Sequence, residues 1–209
     1  MIVSELLDWF AQNTEVLHVD VNDVRDKLIE MGVVDDVEFH FVTMDKGKVR
    51  GLLYRYSVAT DGETPKLFSK IILPRDMGEE TEAWRRLVAV KELLHITDCD
   101  TITASSPLAV DNLFAKFSMP PELRADKPEP FDSSYLNDRV QIYFALAVLV
   151  PGKPRDKLRE LFTNNKLSYR EIAEICGVPI RYAPPLMHEG FDSVIGTLIK
   201  WEADKQISL

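Results

Sequence analysis

Glu82-Ala83-Trp84-Arg85-Arg86-Leu87-Val88-Ala89-Val90-Lys91-Glu92-Leu93-Leu94-His95 reads as one helix, and the rest of the chain is organised around it. Alanine, leucine and arginine dominate, and neither Gly nor Pro interrupts the run. Thr81 is the predicted N-cap, and Glu79, Glu80 and Glu82 crowd the positive end of the helix dipole. Trp84, Val88, Lys91 and His95 follow one another at intervals of four, three and four, which puts all of them on one face. Lys91 and His95 are the odd members of that face, polar groups one turn apart where burial is expected.

Those last five positions, Lys91-Glu92-Leu93-Leu94-His95, nearly reproduce a zinc-protease helix. In that motif two histidines at i and i+4 reach one metal and a glutamate at i+1 activates the bound water. Here the glutamate and second histidine are present, and lysine replaces the first histidine.

Composition sets the outer bounds. The 209 residues fit one fairly large domain, or a domain with a small appendage, and suffice to bury a core. A net charge of −9 argues against nucleic-acid binding by the surface as a whole, because phosphate binding relies on excess Lys and Arg. Cys99 and Cys176 are too few for a disulfide scaffold and fit a reducing compartment. The N-terminal residues lack the basic and apolar regions of a secretory leader, and no apolar run approaches the roughly 18 residues of a membrane span. A soluble cytoplasmic protein is the expectation.

Along the chain, residues 4–12 predict a short helix capped by Ser4, with Leu6, Leu7 and Phe10 inward. A second helix starts at Asn22 or Asp23, carries Val24, Leu28 and Met31, and stops at Gly32. Three strand-like runs cover 37–42, 52–58 and 67–73, with turn chemistry at 45–48 and 61–63, and predict a small antiparallel sheet. A further helix is expected within 105–118, and a proline-rich exposed connector over 119–130. Ser133 or Ser134 caps a long helix through Leu136, Val140, Phe144 and Leu149, apolar almost all round and so buried. Residues 151–185 carry seven basic against four acidic residues, a mildly positive piece of an acidic protein. Residues 167–179 have the cadence of the first helix and turn of a helix-turn-helix, with small Ala173 and with Gly177 at the turn. Pro179, Pro184 and Pro185 then interrupt what would be the recognition helix, favouring a packed helical hairpin over a DNA reader. A terminal helix runs from Phe191 to about Lys205.

Residues 86–95 resemble the segment that contains the HExxH helix in the ImmA/IrrE group of zincin-like metallopeptidases. Residues 138–151 are similar to the second helix of that family, which begins with a metal-binding glutamate and ends in Phe-Ala, an apolar stretch and Pro. The helix-turn-like piece at 167–178 has a counterpart in many members, so the resemblance covers roughly 80–185. It implies an α+β, zincin-like metallopeptidase fold: a small antiparallel sheet packed with an active-site-type helix and a second buried helix. Residues 1–150 would form that domain and 151–209 a helical C-terminal extension.

Position by position, the resemblance makes His95 the second metal histidine and Glu92 the general base. Lys91 stands where the first histidine belongs, and Asp138 where the glutamate ligand belongs. To ligate a metal, Lys91 must lose a proton, which costs about 4 to 5 kcal/mol at neutral pH, roughly three decades of affinity. Aspartate is also one methylene shorter than glutamate, roughly 1.5 Å. Lys91 is itself a cation placed about where zinc would sit, so the expectation is that it pairs with Asp138 and that no cofactor is bound. If the site does function, zinc is the cofactor, with His95 and Asp138 as ligands and Glu92 catalytic.

Other readings stay open for each residue. Lys91 can snorkel to solvent, His95 can cap carbonyls at the helix end, Glu92 can be plain surface charge, and Asp138 can serve the dipole of its own helix. Asp98 and Cys99 with Asp138 suggest a rearranged metal site. Functionally, the leading expectation is an inactive metallopeptidase-like protein that binds and regulates a protein partner, for which the resemblance implies a repressor-like regulator. An active zinc peptidase and a DNA-binding regulator acting through 151–185 are the alternatives.

Overall fold

The computed structural model describes residues 2–43, 50–59, 64–98 and 133–207. The helix expected within 105–118, the connector at 119–130 and Cys99 lie outside the described residues. Helix α1 (Ile2–Asn13) starts two residues before Ser4 and buries Leu6, Leu7 and Phe10. Helix α2 (Val21–Glu30) is capped by Asp20, whose carboxylate accepts the Asn22 N–H at 2.7 Å, and it buries Val24 and Leu28. Gly32 follows at φ 101°, the left-handed exit only glycine makes without strain.

Strands β1 (Asp36–Val42), β2 (Leu52–Val58) and β3 (Lys66–Pro74) form a sheet in the order β1-β3-β2. The sheet is mixed, not antiparallel as the sequence predicts. β3 lies antiparallel to β2, with Ile71 opposite Leu53, and parallel to β1, with Ile71 opposite Phe39. The physical reason lies in β3, which carries the fully buried Ser69, Ile71 and Leu73. A strand that buries so much gains most from a partner on both sides. β1 and β2, with more exposed residues, take the edges. At the β2 edge, Arg55 forks onto buried Asp35 with two bonds of 2.7 Å, and Ser69 Oγ donates to the same carboxylate at 2.7 Å.

Helix α3 (Thr81–His95) crosses β3 and packs along α4 (Ser133–Leu149). Thr81 lies inside its first turn and is not the N-cap. Its hydroxyl donates to the Gly78 carbonyl at 2.6 Å and accepts the Met77 N–H at 3.1 Å, while Glu80 holds the cap position in the left-handed region. Helix α4 buries Val140 and everything from Phe144 to Leu149, as its all-round apolarity requires. Helices α5 (Gly152–Thr163), α6 (Tyr169–Cys176), α7 (Ala183–Met187) and α8 (Phe191–Ile207) follow. Leu158, Ile172, Leu186 and Phe191 join the same apolar cluster as Leu6, Ile71, Leu94 and Phe144.

Ser168 and Glu171 close a capping box at the start of α6, and Gly177 ends that helix at φ 60°. Where a recognition helix would follow, there is a 3-10 turn (Ile180–Tyr182) and then the five-residue α7. Among the described residues no helix is long and apolar enough to cross a membrane.

Candidate functional site

α3 and α4 bring Lys91, Glu92, His95, Asp98, Asp138 and Gln141 into one cluster. Lys91 faces α4 because it lies on the Trp84-Val88 stripe, both members of which are buried. Its ammonium donates to Oδ1 of Asp138 and also lies 2.8 Å from Oε1 of Glu92. Lys91 therefore pairs and does not snorkel.

His95, one turn on, holds Oδ2 of Asp98 through Nδ1 at 2.6 Å, and its Nε2 stands 3.6 Å from Oδ1 of Asp138. Asp98 in turn accepts the Gln141 amide at 2.9 Å through its other oxygen. Oε1 of Gln141, wholly buried, has no hydrogen-bond partner among the described residues.

Glu92 is only 4 % exposed, which removes the plain-surface-charge reading. The reason is Gly51, just before β2. A Cβ there would lie 2.9 Å from Oε1 of Glu92 and 2.3 Å from Cγ1 of Val88. The bare glycine lets the strand settle onto this side of α3 and cover the carboxylate.

The charges are mutually sustaining. Burial works against the Lys91 ammonium, but the carboxylates of Glu92 and Asp138 outweigh it and raise its pKa above the ordinary lysine value. Burial also opposes a charged His95, yet the nearby Asp138 carboxylate and the hydrogen bond with Asp98 lift its pKa to about 9. For Asp138, burial favours the neutral acid, and the adjacent His95 imidazole together with the charge and hydrogen bond of Lys91 reverse this, holding the carboxyl well below the usual range. At neutral pH Lys91 and His95 are thus both charged, and the Asp138 carboxylate stands between them.

That donor set does not fit a metal ion. A protonated imidazole has no lone pair to give, and neither does an ammonium. Among the described residues no group of three His, Cys, Asp or Glu is arranged to hold a metal. Asp98 is engaged by His95 and Gln141, and the Cys99 of the rearranged-site alternative lies outside the described residues.

Spacing on one helix puts Lys91 and His95 together, and only the resemblance to the metallopeptidase helices adds Asp138 to them. Gln141 was not singled out, although a glutamine three residues after Asp138 in an apolar run is a signal of buried polar pairing. No protein-family model, curated protein or solved structure matches the chain.

Proposed function

We propose that this chain is a catalytically silent, metallopeptidase-like protein of the ImmA/IrrE type, working in the cytoplasm as a binding or regulatory module for a protein partner. The observation that carries this reading is the ammonium of Lys91 held between Asp138 and Glu92. A fixed cation there does electrostatically what a dication would do for the surrounding carboxylates, but it offers no open coordination position and polarises no water. The scaffold keeps its helix pairing without hydrolysis. The resemblance over residues 80–185 points to a repressor-like regulator as the partner class.

Metal analysis of the purified chain is the test. Less than a tenth of an equivalent of zinc, and no change in melting temperature with chelator, is the expected result. Stoichiometric zinc that disappears in H95A, together with peptide hydrolysis abolished by E92Q, would establish the active zinc peptidase instead.

A further inference from the structure

Trp84 sits at the meeting point of three chain segments. Its ring is covered on one side by the guanidinium of Arg50, from the lead-in to β2, with Cζ 3.4 Å from the ring centroid. Arg181, from the 3-10 turn, places Cζ 5.5 Å from the same ring and 5.0 Å from the ring of Tyr182. Tyr182 meets Trp84 edge to face, with centroids 5.8 Å apart. Glu80 fixes the turn by accepting the Ile180 N–H at 2.7 Å.

Two cations thus converge on one aromatic pair, and neither has a carboxylate or carbonyl partner among the described residues. Arg25, Arg55, Arg85, Arg155 and Arg159 each pair with a carboxylate. Arg50 and Arg181 are both exposed, in a chain whose net charge is −9. Juxtaposed like charges are unfavourable, and burial together with the Arg181 charge lowers the Arg50 pKa below the ordinary arginine value. A guanidinium whose Cζ lies 3.4 Å over a ring centroid turns its carbon to the ring and still has N–H donors to give, and the guanidinium fork matches an oxyanion bidentately.

We propose that Arg50 and Arg181, set against Trp84 and Tyr182, form a binding site for a doubly charged oxyanion of the phosphate-monoester class. A dianion neutralises both guanidinium groups at once, which a single carboxylate does not. The site adjoins the Lys91–Asp138 centre, since Gly51 next to Arg50 covers Glu92 and the Asp138 charge reaches Tyr182, but its existence does not depend on whether that centre is silent.

The 209-residue chain is titrated with sodium phosphate against sodium chloride of equal ionic strength, following the indole N–H signals of its three tryptophans. The Trp84 signal is identified by its loss in W84F. A saturable shift of that signal is expected, weakened about tenfold or more in both R50A and R181A, since each removes a charged hydrogen-bond donor. R50K keeps the charge but loses the planar fork, so it too should weaken binding; it replaces R50A if that variant does not fold. R25A should leave the titration unchanged. O-phosphoserine run as a second arm separates the sources: binding tighter than inorganic phosphate assigns a phosphorylated ligand, and weaker binding assigns the free ion. A non-saturating drift, saturation unaltered in both R50A and R181A, or an equal response to acetate would overturn the site.

Discussion

Lys91 on α3 and Asp138 in the opening turns of α4 hold the two central helices together through one ammonium and one carboxylate oxygen. The Lys91 side chain is 11 % exposed, and the Asp138 side chain keeps 34 %. Removing the ammonium leaves Glu92 and Asp138 facing each other with only the more distant His95 imidazole to offset them. K91M is therefore expected to destabilise the fold by about 3 kcal/mol, the scale of a broken buried pair. D138N should cost less, about 1–2 kcal/mol, because water already screens that carboxylate. Urea unfolding at pH 6 measures both. Equal stability of K91M and the parent chain would show that the pair does not hold the helices.

His95 makes stability depend on pH in a defined direction. Its folded pKa, about 9, lies above the ordinary value of 6.5, so its contribution is complete below about pH 6.5. It drains away as pH rises to about 9, by at most about 3 kcal/mol. Lys91, raised above 10.5, keeps its contribution through that window. Asp138, lowered from 3.8, loses its contribution only in acid. Unfolding free energies between pH 6 and 9 should thus fall in the parent chain and fall much less in H95Q. A flat parent profile contradicts the assignment of His95 as a cation.

The helices were legible because spacing on a helix is local information, whereas their pairing was expected only from the resemblance. Lys91 and His95 fall on the stripe begun by Trp84, and Asp138 opens a run too apolar to be anything but a core helix. The sheet order was not legible, since the choice of β3 over β2 as the neighbour of β1 depends on which strand meets the helices. Glu92 was open to misreading for a related reason: it is covered by Gly51, forty-one positions earlier, and helical periodicity cannot foresee that. The Ser168–Glu171 capping box was written in the sequence as Ser-x-x-Glu and needed only to be looked for.

Gly51 supplies a packing test of that cover. A Cβ at this position overlaps Cγ1 of Val88 at 2.3 Å, so the stiff Val88 side chain, the strand or the helix must shift. G51A is expected to cost about 1–3 kcal/mol, the range for overfilling a packed contact. Trimming the opposing side chain in G51A/V88A should recover part of that loss, measured as a double-mutant cycle in thermal unfolding. Simple additivity of the two substitutions would mean that the strand does not rest on α3 there.

Restoring the two altered ligand positions tests the correspondence from which the functional reading starts. K91H places a second imidazole one turn before His95, and D138E returns the methylene missing from the α4 carboxylate. Together they rebuild two histidines at i and i+4 with a glutamate from a facing helix, the ligand set of a zinc site with one open position. Removing the ammonium also takes away one of the cations among the cluster's carboxylates, so the field there turns from self-compensated to strongly cation-seeking. The double variant is expected to bind one zinc per chain and to gain about 2.7 kcal/mol of stability at a hundredfold excess of metal over the dissociation constant. The parent chain, with its ammonium in place, should gain nothing under the same conditions. Each single variant should bind weakly, because K91H alone keeps the short carboxylate and D138E alone keeps the competing cation. A folded double variant that ignores zinc would mean that residues 91, 95 and 138 do not converge as a metal triad does, and the family reading would lose its geometric basis.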